Sequence, residues 1–345
     1  MRKTSIISNR QMLLFILAAG CLFCSFSQKL ARENKHQITG YTQGTTYQIT
    51  YYSRSAMIQK TSIDSLLAGI DSSMSIYKPY SLISQFNNSE KGLALDADFY
   101  AVMQKALQIS QETGGRFDVT VAPLVEAWGF GHTAIAHYPD SAEISSIRQC
   151  VGFKQLELKG NFLHKAKPCV RVDVNGIAQG YSVDKVAAYL ENRGIKSFIV
   201  EIGGELRIHG EKEDGSAMKI GIEGPSENDG EPAIRHIVAL DQGAITTSGN
   251  YRKFKKNGSQ KISHLIDPRT GFPLDNELVS VTLYAPDAIT ADGYDNAIMA
   301  MSLEDALDFV SDRPALEAYI IYRDKQGRVL DTMTNGFKQL LVDGR

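Results

Sequence analysis

SVDKVAAYLENRGIKSFIVEI, residues 182–202, decides the fold. Ser182 to Arg193 reads as a helix, and Phe198 to Ile202 is a short apolar run that reads as a strand. The next two apolar runs, Met218 to Ile222 and Ile237 to Leu240, also read as strands with no helical pattern between them. Upstream, Leu156 to Leu158 and Val170 to Val174 look like strands. Downstream come a strand at Leu278 to Tyr284, helices at Ala291 to Met301 and Leu303 to Val310, and a strand at Ala318 to Tyr322. Helices and strands do not alternate strictly, so the pattern points to an α+β fold with a largely antiparallel sheet rather than a doubly wound parallel one. Nearer the N-terminus, Tyr41 to Tyr52 is rich in Thr and Tyr with partial alternation, a strand signal. Ile63 to Met74 and Asp98 to Thr113 carry apolar residues at helical spacing. Between them Tyr77 to Ser81 is turn chemistry, and Ile83 to Asn88 is polar and expected on the surface or lining a site.

The chain has 345 residues, 43% hydrophobic and 22% charged, enough for one large domain or two modest ones. Its 37 basic and 39 acidic residues nearly cancel, which excludes the broad field of a nucleic-acid binder, so any anionic ligand must be held locally. Arg2, Lys3 and Arg10 precede the apolar run Met12 to Gly20, too short to span a bilayer, so residues 1–20 read as a signal peptide. The run ends Ala18-Ala19-Gly20-Cys21, which resembles the lipobox of bacterial lipoproteins, with Cys21 as the lipidated residue; an ordinary signal peptide cleaved after a small residue is the alternative. Either reading puts the folded part outside the cytoplasm. Residues 21–37 then read as a tether and 38–345 as the folded domain. Cys150 and Cys169 are the only cysteines beyond the leader region; an oxidising compartment would let them pair, and otherwise they are small buried apolar residues.

Four glycine- or turn-rich segments stand out: Thr113 to Asp118, Asn175 to Tyr181, Ile202 to Glu205 and Thr246 to Tyr251. Glycine lets backbone N–H groups approach a phosphate or a ring, and a helix starting just after Gly180 would aim its dipole at an anion. None matches a P-loop or a dinucleotide-binding GxGxxG. A second set is acidic: Asp292, Asp295 and Asn296 would share one face of a helix, a place for Mg2+ on a phosphate or simply for helix capping. The third is Ser263 to Gly271, where His264 could take a proton from an attacking hydroxyl or could be structural.

Taken in order, these segments resemble the ApbE family of flavin transferases over roughly Gly40 to Leu307. The resemblance rests on Gly40 to Tyr47, Met74 to Pro79 with Ser81, Ile83-Ser84 and Phe86-Asn87, and on Phe117 to Val125 with Trp128 to Gly131. It continues through Asp173 to Asp184, Gly203-Gly204, Thr247 to Gly249, His264 to Gly271 and Ala291-Asp292. It implies a T-fold-like α+β architecture, FAD as flavin donor, Mg2+ on its pyrophosphate and a threonine of a target flavoprotein as acceptor. Tyr77 resembles the family's aromatic residue at the flavin, and Gln43, where Met is usual, is expected at the same ligand. Arg116, Phe117, Asp118, Asp173, Gln179 and Ile266 are the further FAD contacts it implies. The Gly176 carbonyl, Asp292 and Asn296, the last where Thr is usual, resemble the metal set, and His264 the catalytic base. Asp118 and Asp173 could instead cap backbone in tight turns.

The chemistry implied is attack of a threonine oxygen on the FMN-side phosphorus with AMP departing. Two other readings use the same site: an FAD pyrophosphatase, in which water replaces the threonine, and a carrier that binds FAD without turnover. Through the resemblance the expected partners are flavoprotein subunits of membrane redox complexes, and the expected place is the cell membrane, lipid-anchored and facing the periplasm.

Overall fold

The computed structural model describes residues 34–131, 134–225, 233–250, 254–257 and 260–342; the leader, Cys21 and Tyr251 lie outside the described residues. In chain order the strands are β1 Asn34–Thr42, β2 Thr45–Ser53, β3 Gly92–Ala94, β4 Leu156–Lys159, β5 Phe162–Lys165, β6 Phe198–Ile202, β7 Glu205–His209 and β8 Met218–Gly224. They continue as β9 Ala233–Leu240, β10 Gln242–Gly249, β11 Phe254–Asn257, β12 Gln260–Ser263, β13 Leu278–Ala285, β14 Glu317–Arg323 and β15 Val329–Met333. The helices are α1 Lys60–Met74, α2 Leu82–Asn88, α3 Ala97–Glu112, α4 Ala122–Ala127, α5 Ser141–Ile147, α6 Ala178–Asn192, α7 Ala288–Met299, α8 Leu303–Ser311 and α9 Asn335–Leu340.

Eight strands form one sheet in the order β1-β2-β6-β7-β10-β13-β14-β15, and every neighbouring pair is antiparallel. The α+β expectation holds. Side chains alternate across a strand, so each strand feeds two cores. Tyr47, Ile49 and Tyr51 of β2 and Ala318 and Ile320 of β14 join a large cluster with α1, α3, α6 and α7. Tyr52, Tyr319 and Ile321 join a second cluster with the β8–β9 hairpin and Phe337 of α9 on the opposite face. Leu124, Trp128, Ile144, Ile262 and Ile266 form a third, smaller cluster. Among the described residues no helix is long and apolar enough to cross a membrane.

Helix α7 is buried nearly all round, including Asp292 and Asp295. It begins at Ala288, earlier than the expected Ala291. Asp287 caps it by accepting from Thr290 N at 2.9 Å, and Asp184 takes Ala288 N at 3.0 Å and Ile289 N at 2.8 Å. The capping role considered for Asp292 therefore belongs to Asp287 and Asp184, and Asp292 projects from the second turn. Helix α6 likewise starts at Ala178, so Gly180 lies within its first turn rather than before it. A Cβ on Gly180 would run into the Ala288 backbone and stand 2.8 Å from Asp292 Cβ, so only glycine permits α6 and α7 to cross here.

Other expectations are corrected. Asn34, the first described residue, is already paired in β1 with β2, so the folded part reaches upstream of the expected Ile38. The single strand read over Tyr41 to Tyr52 is the tip of this hairpin. Ile83 to Asn88 is not a polar surface stretch but lies in α2, because Ile83 and Phe86, one turn apart, are both fully buried. Thr246 to Gly249 is the end of strand β10, not a turn.

Val170 to Val174 is the most instructive difference. The three valines are buried in strand-like alternation, yet the segment belongs to no sheet. Its backbone is satisfied by side chains. Asn87 accepts from Val172 N at 2.7 Å and donates to Val172 O at 2.9 Å. The buried Lys165 ammonium donates to Val170 O at 3.1 Å and to the last carbonyls of α2, Phe86 O at 3.1 Å and Asn87 O at 3.3 Å. Asp173 N then donates to Val119 O at 2.7 Å. Cys150 and Cys169 are joined in a disulfide, Cα to Cα 5.5 Å, so the pairing allowed by the sequence is present.

Replacing Asn87 by alanine would strand both backbone groups of Val172 away from water, costing about 2–4 kcal/mol of stability. Denaturant unfolding of Asn87→Ala checks this. A loss below about 0.5 kcal/mol would show that the strap does not depend on the amide clamp.

Candidate active site

Where α6 crosses α7, oxygen atoms converge. Asp292 Oδ2 accepts from Gly180 N at 2.9 Å, and Asp295 Oδ2 accepts from Thr246 Oγ1 at 2.6 Å, which leaves one oxygen of each carboxylate facing Asn296. The Asn296 amide nitrogen lies 3.3 Å from Gly176 O, 2.9 Å from Asp292 O, 3.3 Å from Asp292 Oδ1 and 3.1 Å from Asp295 Oδ1. Its oxygen accepts from Ser248 Oγ at 3.1 Å. The predicted metal set, Gly176, Asp292 and Asn296, is thus assembled in space. Asp295 joins it, as do Thr246 and Ser248 of the Thr246 to Tyr251 segment, none of which was in the predicted metal set. Burial pushes the Asp292 carboxyl up to about 7, and burial together with the Asp292 charge pushes Asp295 well above the usual carboxylate range.

One flank of this cluster is built by two glutamines. Gln43 occupies the β1–β2 turn with φ 49°, a left-handed conformation uncommon for a side-chain residue, and its amide donates to Ser182 Oγ at 2.7 Å. Ser182 Oγ in turn donates to Ala178 O at 2.8 Å in the first turn of α6. The Gln179 side chain passes over Gly203, where a Cβ would also stand 2.8 Å from Thr45 Cγ2. Gly203, at φ +63°, is therefore required both by backbone conformation and by space.

The other flank is the Thr113 to Asp118 loop and the Val170 to Val174 strap. The Asp118 carboxylate is spent on the protein: Oδ1 accepts from Thr120 N at 2.8 Å and Thr120 Oγ1 at 2.6 Å, and Oδ2 from Phe153 N at 2.6 Å. Of the two roles considered for it, backbone capping is the one its geometry displays. Asp173 accepts from Asn175 N at 2.8 Å, and burial raises its carboxyl to about 6. The Tyr77 hydroxyl faces Asp173 and Asn175, with its ring largely exposed. Phe117 lies against Gly176, and Arg116 reaches Asp305 at 3.8 Å.

His264 and Ile266 belong to the third, aromatic lobe. His264 follows β12 and meets the Phe130 ring edge-on at 6.3 Å. The Ser263 to Gly271 segment is a tight loop, closed by Gly271 N donating to Asp267 O at 2.7 Å and by Trp128 Nε1 donating to Gly271 O at 2.8 Å. The Ile266 side chain is buried in this lobe's core, so any contact it makes with a ligand runs through its backbone.

The profile of the ApbE family matches residues 43–320, which takes in every element described above from the β1–β2 turn to β14. The chain belongs to the ApbE family. An FAD:protein FMN transferase of Vibrio cholerae is 38% identical over 84% of this chain and 86% of its own length. One from Haemophilus influenzae is 34% identical over 94% of this chain and 98% of its own. Among solved structures, the flavin transferase ApbE from Vibrio cholerae superposes with a TM-score of 0.81 at 34% identity, covering 90% of this chain and all of that one.

For an ApbE-family chain the oxygen cluster can be tested against a divalent cation. Among the described residues no three His, Cys, Asp or Glu side chains gather as metal ligands. The Asn296 amide turns its nitrogen to this cluster and its oxygen to Ser248 Oγ, so the oxygens facing inward are the Gly176 and Asp292 carbonyls and one carboxylate oxygen each of Asp292 and Asp295. The two N–H bonds of the Asn296 amide face four oxygens, two of them from carboxylates with no basic partner among the described residues. Hard oxygen donors in excess of the available hydrogens fit Mg2+ or a similar ion. Asp295 had a signal in the sequence, three residues after Asp292 on one helix face. Thr246 and Ser248 had one only for a reader who took them as alternate residues of a strand.

The raised Asp292 carboxyl links stability to pH. An unfolded Asp titrates near 3.9, so between about 4 and 7 the folded chain binds the extra proton, and stability falls as pH rises through that window. In cation-free protein the thermal midpoint is expected to drop from about pH 5 to about pH 8 and to recover with added Mg2+. Asp292→Asn should flatten both responses. A native profile indifferent to Mg2+ at the upper pH would count against a cation at this place.

Proposed function

We propose that this protein is an FAD:protein FMN transferase, moving FMN from FAD onto a threonine hydroxyl of an acceptor flavoprotein with release of AMP. The observation that carries the reading is the convergence of Gly176 O, Asp292, Asp295 and Asn296 beside the first turn of α6 in a chain of the ApbE family. Mg2+ held by Gly176 O, Asp292 and Asp295, and by Asn296 once its amide turns over to present its oxygen, would offset the charge that builds on the FAD pyrophosphate. The N-terminal turn of α6 adds its dipole to the same end.

The chain's own groups account for the rest. Tyr77, exposed on the rim, offers a ring for the isoalloxazine to stack on. Gln43 and Gln179 supply side-chain amides for the flavin half, and Asp173 and the backbone from Arg116 to Asp118 bound the groove on the other flank. His264 accepts the proton of the threonine hydroxyl, whose oxygen forms the new bond to the FMN-side phosphorus. The phosphoanhydride bond breaks, and AMP leaves with the electron pair.

The leader supports a place for this reaction. Cys21 following a short apolar run favours a lipid anchor, and the Cys150–Cys169 disulfide suits an oxidising compartment such as the periplasm. Flavoprotein subunits of membrane redox complexes are the acceptors that such a position would serve.

Incubating the protein with FAD, Mg2+ and a threonine-containing acceptor domain, then measuring acceptor mass and AMP, tests the reading. An FMN-sized mass gain is expected, abolished by chelator and lowered about 100-fold or more by His264→Ala. AMP and free FMN without any mass gain would favour hydrolysis, and FAD binding without turnover would favour a carrier.

A further inference from the structure

Two segments on the flank of the oxygen cluster share one task. The loop after the short turn Arg148–Cys150 sends Gly152 N to Thr120 Oγ1 at 2.7 Å and Phe153 N to Asp118 Oδ2 at 2.6 Å. From the opposite side, the strap that follows Cys169 sends Asp173 N to Val119 O at 2.7 Å. Both segments thus grip the same three residues, Asp118, Val119 and Thr120. One carries on to Asp173 and Gly176, while the gripped turn is continuous with Arg116 and Phe117. The Cys150–Cys169 bond ties the two segments together just before they reach that turn.

We propose that the Cys150–Cys169 disulfide is a positioning element of the FAD site, holding the loop that fixes Asp118 and the strap that delivers Asp173 and Gly176 at a set separation. This rests on the flavin-transfer reading given above. The disulfide closes a loop that contains the short turn Phe153–Gln155 and the β4–β5 hairpin, and that hairpin stays paired through its own ladder and through β5 with β3. The strap keeps its anchors at Asn87 and Lys165 when the bond is open. Opening it therefore loosens the groove without unfolding the domain. Cys169 is exposed, so a dithiol reductant can reach the bond, leaving two thiols and itself becoming a cyclic disulfide. FAD affinity then follows the thiol–disulfide state, while His264 after β12 and Asp292 and Asp295 on α7, outside the bridged segments, stay in place.

The test compares the oxidised protein with protein reduced by a dithiol that is then removed, and with a variant carrying both Cys150→Ser and Cys169→Ser. FAD binding, KM for FAD, kcat and amide hydrogen exchange are measured on each. Expected in the opened forms are an FAD Kd and KM raised about tenfold, kcat at saturating FAD within about twofold, and faster exchange at the Gly152, Phe153 and Asp173 amides. A merely structural bond would lower thermal stability and leave KM where it was, and that result overturns the proposal. Equal exchange at those amides in all forms overturns it as well, without reference to flavin. Absence of FAD binding by every form instead overturns the flavin reading, and with it the role given to the disulfide.

Discussion

A buried carboxylate accepting a hydrogen bond from a glycine amide, Asp292 Oδ2 to Gly180 N at 2.9 Å, joins the two helices from which the site is made. The contact exists because Gly180 has no Cβ to meet Ala288, which lets α6 approach α7 until a backbone N–H reaches a side chain. Once the crossing is fixed, the rest is placed in turn. Asn296, one turn beyond Asp292, meets the Gly176 carbonyl just ahead of α6. Ser182, one half-turn beyond Gly180, meets Gln43 from the first hairpin. Asp184, a turn further, caps the start of α7 and so closes the circle of dependence between the two helices.

The cluster is costly to keep without a positive charge. Two carboxyls close to one another and away from water stay protonated to unusually high pH, and the chain spends Thr246, Ser248 and Asn296 on softening that cost. Such an arrangement gains nothing for folding. A cation bound here would convert that electrostatic penalty into affinity.

Much of this was legible in the sequence, and what was not has physical causes. Asp292 and Asn296 could be paired because helical periodicity places residues four apart on one face. Asp295 shares that face but was left out of the metal set the resemblance implied, and β10 packing over α7 takes it out of water. Thr246 and Ser248 looked like turn residues because a strand facing a polar cluster loses the apolar alternation by which strands are found. Val170 to Val174 gave the opposite error: the alternation is real, but its hydrogen-bond partners are Asn87, Lys165 and Val119 rather than a neighbouring strand. Family resemblance supplied Asp118 with a ligand, whereas its neighbours Thr120 and Phe153 already occupy its oxygens. The antiparallel sheet was foreseen, although β7, β10 and β15 were missed as members.

The order of strands in that sheet also governs when it can form. Tyr47 of β2 pairs with Ile202 of β6, so the first hairpin waits for more than half of the chain before its inner edge is covered. Contacts of such long reach carry a loop-closure cost that must be met before the pairing gives anything back, which makes assembly slow relative to a helical bundle of equal size. During that interval the β2 edge, with Tyr47, Ile49 and Tyr51 unburied, is a template for pairing with another chain. The template disappears once β6 pairs along Tyr47 to Tyr51 and the helices cover the same residues.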